Sequence, residues 1–192
     1  LAELEERANN FSNIRELMKL VDLTPARRGL LDGSHVRAYL SDMFPETLTF
    51  ESTKIPLSLN AVDLIKGQEV TLSSGPLFPA VQATCAVPGI FPPVTMGDYR
   101  LIDGGILNNV PIEQAKEMGA DITIAINAQV DPCDEDVQVE IPIKINSPIP
   151  LPEYFIDLYW AGFIMVSRIT HTHMQQCPPD IYIYPRLSPD IT

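Results

Sequence analysis

One carboxylate in this sequence is placed where it could do chemistry. Asp103 closes the β-type run Tyr99-Arg100-Leu101-Ile102 and is followed at once by Gly104 and Gly105, so a strand stops on an acid beside two residues without side chains. A partly desolvated carboxylate can serve as a general base. In open α/β sheets the crevice beyond the strand carboxyl ends is where ligands bind, which makes an acid at that point a candidate. The same three residues also read as a plain turn, because Asp-Gly is a frequent turn pair. The glycines suit either reading: they can take positive φ, and they let backbone or substrate approach closely.

The remaining polar residues offer less. Asp63, ahead of Lys66-Gly67, could be a second carboxylate, but an acid that opens a turn is the simpler reading. His171 and His173 are two apart on an expected helix and point away from each other, with no third ligand evident. His35 stands alone in a first helical turn. Cys85, Cys133 and Cys177 lack both a disulfide framework and zinc-ligand spacing, so reduced thiols are expected. The acids Asp131, Asp134, Glu135, Asp136 and Glu140 lack the spacing and glycine of an EF-hand and read as a solvated acidic face. No metal and no cofactor is expected.

The elements that must position Asp103 follow from periodicity and breakers. Residues 1–21 carry apolar positions at helical spacing. A second short helix follows Asp32-Gly33-Ser34, with Asp32 or Ser34 as its cap, and ends at Pro45. Strands are expected at 54–62 and 69–72, then a helix over 76–86 that Pro88-Gly89 stops. The stiff run Ile90-Phe91-Pro92-Pro93-Val94 is either a pocket wall or a buried connection. After Asp103 come a helix over 111–118, with Gly119 at its C-terminus, and a strand over 121–127. Strand, helix and strand in this order predict a βαβ unit with parallel central strands, a right-handed crossover and Asp103 opening into a cleft. Acids and prolines make 128–152 a loop, 153–174 is an amphipathic helix, and 180–184 is a last strand.

Composition bounds the function. In 192 residues, 45% hydrophobic against 20% charged suits one globular domain, and a net charge of −12 opposes nucleic acid as a partner. No run reaches the 18 or so apolar residues that a membrane span needs. The apolar block 154–166 is a candidate for peripheral lipid contact, with a core helix as the alternative.

The stretch VQATCAVPGIFPPV, the strand ending in Asp103-Gly104-Gly105, then NNVPIEQAKEMGAD and ITIAIN resembles the second half of a patatin-like phospholipase domain of the bacterial branch, most closely over residues 29–127. The resemblance implies an α/β, three-layer fold with a mainly parallel central sheet, incomplete at the N-terminal side. It implies one partial domain over 1–192, with a core segment 1–127, an acidic and proline-rich loop 128–152 and a C-terminal helix and strand 153–192. Asp103 then becomes the base of a Ser-Asp dyad, with Gly104 and Gly105 completing its motif, in a serine acyl hydrolase acting on lipid or ester substrates. The family's Gly-x-Ser-x-Gly elbow and its glycine-rich oxyanion loop are both missing from these 192 residues. An upstream segment or a second chain is therefore expected to supply the nucleophile, and this chain alone is expected to be inactive. The rival reading is a catalytically inactive, regulatory or lipid-binding module. A cytoplasmic location, with contact at a membrane periphery, fits the reduced thiols.

Overall fold

The computed structural model describes residues 33–45, 47–129 and 153–185. The expected first helix, Cys133 and the acidic stretch from residue 130 to 152 lie outside the described residues. The chain forms two compact units with the boundary between Gly105 and Ile106.

The first unit contains α1 (Ser34–Met43), β1 (Leu59–Asp63), β2 (Gln68–Leu72), α2 (Leu77–Thr84), β3 (Val94–Met96) and β4 (Tyr99–Asp103). Its strands form one sheet in the order β2-β1-β4-β3, and all three pairings are antiparallel. Short connections dictate this for β1–β2 and β3–β4, since a tight turn can only reverse the chain; β1 and β4 pair across the intervening β2, α2 and β3. Between β1 and β2, Asp63 makes the turn: its Oδ1 accepts the Ile65 N–H at 3.1 Å, its carbonyl accepts the Gly67 N–H at 2.7 Å, and Gly67 takes φ +63°. Between β3 and β4, Gly97-Asp98 is a two-residue hairpin with Gly97 at φ +57°, which places the glycine at the first central position of a primed turn.

Two expectations are corrected here. The central sheet is antiparallel, not mainly parallel, and β4 is not the first strand of a parallel βαβ unit. β4 already has β1 on one edge and β3 on the other, so no edge is left for the expected strand 121–127. The hairpin partner β3 was hidden in the proline-rich run, although Gly-Asp between β-type residues is a hairpin signal. The cap of α1 also differs: Gly33, at φ 78°, precedes the helix, and no side chain caps it.

α2 packs over β1, β4 and β3. It can do so closely because Ala83 on the helix and Ala61 on β1 are fully buried together with Leu101 of β4. A second cluster joins Phe50, Leu77 and Ala80.

The second unit contains α3 (Ile112–Glu117), β5 (Ile124–Ile126), α4 (Glu153–Gln176) and β6 (Ile181–Ile183). β5 and β6 pair in parallel, with Ile124 beside Ile181 and Ile126 beside Ile183. Val110, Ile112 and Ala125 form its core, with Met174 and Cys177 packed against them. Asp180 fastens the start of this pair: one carboxylate oxygen accepts both the Thr123 N–H at 2.8 Å and the Thr123 hydroxyl at 2.9 Å, while Thr123 Oγ1 accepts the Asp180 N–H at 3.2 Å. These bonds, the backbone donor first, hold the Asp180 carboxyl below its usual range. Asp180→Ala is expected to speed hydrogen exchange at the Thr123 and Ile181 amides by roughly tenfold, with Leu101 and Ile102 unchanged. Equal acceleration in both units would refute this local role.

Candidate active site

Asp103 sits at the end of a strand that cannot shift. In β4, Leu101 and Ile102 are buried, and the register sets Ala61 opposite Asp103 on one side and Val94 opposite Leu101 on the other. The Asp103 N–H donates to the Ala86 carbonyl at 3.0 Å, which ties the strand end to the chain just after α2. Its Oδ1 accepts the Gly105 N–H at 2.8 Å. The carboxylate is thus held at its backbone and at one oxygen.

Gly104 has a different role from the one its conformational freedom suggested. Neither Gly104 nor Gly105 is among the positive-φ glycines. What Gly104 lacks is space: a Cβ there would lie 2.5 Å from the Asn60 carbonyl oxygen and 2.6 Å from Asn60 Cγ. That carbonyl is held in place, accepting the Thr84 hydroxyl at 2.7 Å while Asn60 is paired with Thr71 across the sheet. The glycine therefore lets the chain turn away from β4 pressed against β1.

Desolvation pushes the Asp103 carboxyl above the usual aspartate range, and the Gly105 N–H only partly opposes it. Cys85 lies within the reach of that charge. Although exposed as a residue, its thiol is pushed up first by desolvation and then by the negative charge of Asp103. Asp63, at the other end of the β1–β4 pair, is buried and serves the fold: its Oδ1 accepts the Ile65 and Arg100 N–H groups.

A groove of about 530 Å³ lies in the same unit, between α1, α2 and the 91–95 segment. Ala86 and Cys85 line it, as do Arg37, Gln82, Phe91 and Pro92, whereas Asp103 itself does not. The stiff proline run is thus a wall of this groove. None of these neighbours, Asn60, Cys85, Ala86 or Arg37, had a signal in the sequence, because each is brought to Asp103 or to the groove by pairing and packing alone. With β4 antiparallel, the parallel-sheet crevice no longer argues for Asp103, whose candidacy rests on its motif and on the local geometry.

His171 Nε2 lies 3.0 Å from Gln175 Nε2, and His35 is exposed. Among the described residues, no three His, Cys, Asp or Glu side chains are grouped to hold a metal ion, and no helix is long and apolar enough to cross a membrane.

A family model described as patatin-like phospholipase matches residues 2–116, which include Asp103, Gly104 and Gly105. The chain is similar to an uncharacterized NTE family protein of Mycobacterium bovis, 31% identical over 113 residues, covering 59% of this chain and 31% of that protein. It is also similar to a patatin-like phospholipase domain-containing protein of Caenorhabditis elegans, 31% identical over 126 residues, 64% of this chain and 9% of that protein. Patatin-like phospholipase domain-containing protein 7 of Mus musculus is 27% identical over 135 residues, again 64% of this chain and 10% of that protein. The chain therefore spans less than a third of the length of these relatives.

Two outcomes follow from the geometry. Gly104→Ala should cost about 1–3 kcal/mol of stability, the usual range for overpacking, read from urea unfolding. An unchanged midpoint would mean that Asn60 yields freely. The second concerns pH. Since the folded state raises the Asp103 pKa, it binds the proton more tightly than the unfolded chain does, and stability falls as pH rises from the ordinary value through the raised one. Asp103→Asn should therefore be more stable than wild type at neutral pH, with the gap closing near about pH 3.5, below the unfolded aspartate pKa. A gap independent of pH would remove the desolvation argument.

Proposed function

The chain belongs to the patatin-like phospholipase family, a family of lipid hydrolases, and on that premise we propose that it carries the base of a Ser-Asp dyad that cleaves acyl esters of lipids. The observation that carries the reading is Asp103: a carboxylate desolvated enough to be a stronger base than an ordinary aspartate, fixed at a strand end inside the family-matched segment. In this reaction Asp103 takes the proton of a serine hydroxyl as the serine oxygen bonds to the acyl carbon. The tetrahedral intermediate collapses, the C–O bond to the alcohol breaks, and Asp103 returns the proton to that alcohol. Water then cleaves the acyl-serine by the same route, releasing the fatty acid.

The nucleophile and the oxyanion donors belong, in this proposal, to an upstream segment or to a second chain. One feature of the second unit supports a missing covering segment: Ile124, Ile126, Ile181 and Ile183 stand exposed on the paired strands, a face that water disfavours. Residues 1–192 alone are accordingly inactive on esters, and lipid contact at a membrane periphery suits the exposed Tyr154, Leu158 and Met165 of α4.

In a protein that includes the amino-terminal part, Asp103→Asn should lower kcat/KM on a short-chain ester by about 10² to 10⁴, the range of general-base loss. The wild-type profile should lose activity toward acid with its limb above the ordinary aspartate value near 3.9, because the base acts only when ionised. Full activity of Asp103→Asn would end the dyad assignment.

A further inference from the structure

The second unit brings together a thiol and a primary amine that no step of the proposed hydrolysis uses. Lys116 Nζ lies 3.4 Å from Cys177 Sγ, 61 positions away in sequence, and donates to the Pro178 carbonyl at 3.1 Å. Backbone holds both sides of this contact. Lys116 is in the last turn of α3, where its carbonyl accepts the Gly119 N–H at 2.9 Å. Cys177 follows the last residue of α4 and donates its N–H to the His173 carbonyl at 2.8 Å, and Pro178-Pro179 stiffen the chain beyond it. The amine therefore stays beside the sulfur.

Access to the pair is uneven. Cys177 is a free, half-buried thiol packed with Met174 against Val110, Ile112 and Ala125, whereas Lys116 is exposed. A half-buried sulfur admits a molecule as small as a peroxide, and the oxidised sulfur then has a nucleophilic nitrogen already at contact distance. Proximity decides which partner it meets first.

We propose that Cys177 and Lys116 form a peroxide-responsive modification site, in which oxidation closes a covalent S–N cross-link between α3 and the end of α4. In the first step the Cys177 sulfur attacks one oxygen of hydrogen peroxide; the O–O bond breaks, the sulfur gives up two electrons that the peroxide gains, and a sulfenic acid and water result. In the second step Lys116, as the free amine, attacks that sulfur. The S–N bond forms, the S–OH bond breaks, and the departing hydroxide leaves as water with a proton from the nitrogen. A thiol reverses the link: it attacks the sulfur, the nitrogen leaves with a proton as the Lys116 amine, and a second thiol then releases Cys177 as the two reductant thiols form a disulfide. The closed link spans 61 positions, so it restricts the opened states of this unit.

The test uses the full-length protein, treated with hydrogen peroxide, alkylated and mapped by mass spectrometry. A Lys116–Cys177 peptide pair should appear two hydrogens lighter than its separate peptides, and dithiothreitol should abolish it. Esterase activity plays no part in this readout. Lys116→Arg keeps a cation for the Pro178 carbonyl but removes the primary amine, so the link should be lost and Cys177 should proceed to sulfinic acid. Amide exchange at Thr123 and Ile181 should slow by roughly tenfold in oxidised wild type and not in oxidised Lys116→Arg. Three results would each overturn the proposal: Cys177 ending as sulfinic acid, or in a disulfide with Cys85 or Cys133, while Lys116 stays unmodified; equal linking of Cys177 to other lysines; or equal yield of the link in urea, where the folded contact is gone.

Discussion

The site depends on a steric constraint: at Gly104 the chain passes so close to Asn60 of β1 that no Cβ fits. That contact lets the backbone leave β4 immediately after Asp103 without stepping away from the sheet. With β4 paired on both edges and its amide tied to Ala86, the carboxylate has little backbone freedom left. Pre-organisation of this kind matters for a base, since proton transfer depends on reaching the reacting group at hydrogen-bond distance. The glycine therefore acts through what it omits. Its usual credential, tolerance of positive φ, is used instead at Gly67 and Gly97, where the sheet turns.

Element existence was legible where local chemistry decides it. The helices of both units, the β4 strand and the Asp63 turn follow from periodicity, breakers and the Asx geometry of an acid before a glycine. Strand partnership was not legible. A run such as Tyr99-Arg100-Leu101-Ile102 states that a strand is half or fully buried, but not which edges it offers, and the parallel βαβ expectation assumed a free edge that β1 and β3 had taken. The Gly97-Asp98 hairpin was the one local clue, masked by the prolines that precede Val94. Likewise Asp103 was legible as a candidate by its motif, while Asn60, Ala86 and Cys85 were not, because register and helix docking bring them there across 17 to 43 positions of sequence.

The groove and the carboxylate share a boundary, and this has an electrostatic consequence. Cys85 and Ala86 belong to both: Ala86 accepts the Asp103 amide, and the Asp103 charge reaches the Cys85 sulfur.

Three aspartates at strand ends, Asp63 and Asp103 closing β1 and β4 and Asp180 preceding β6, show why only one is suited to this work. Asp180 is solvated and accepts two bonds from Thr123, so its ionised form is favoured and its carboxyl is held low; it is a weak base and a good fastener. Asp63 is buried, but it is committed to the Ile65 and Arg100 amides inside the sheet and has no surface from which to meet a substrate. Among the described residues, Asp103 combines partial burial with one donor to its carboxylate, the Gly105 N–H, and desolvation outweighs that one bond. A carboxylate given two or three N–H donors would be locked in its charged form. Leaving Asp103 with fewer donors costs the fold some stability at neutral pH, and the same imbalance is what makes a carboxylate able to take a proton without a histidine beside it.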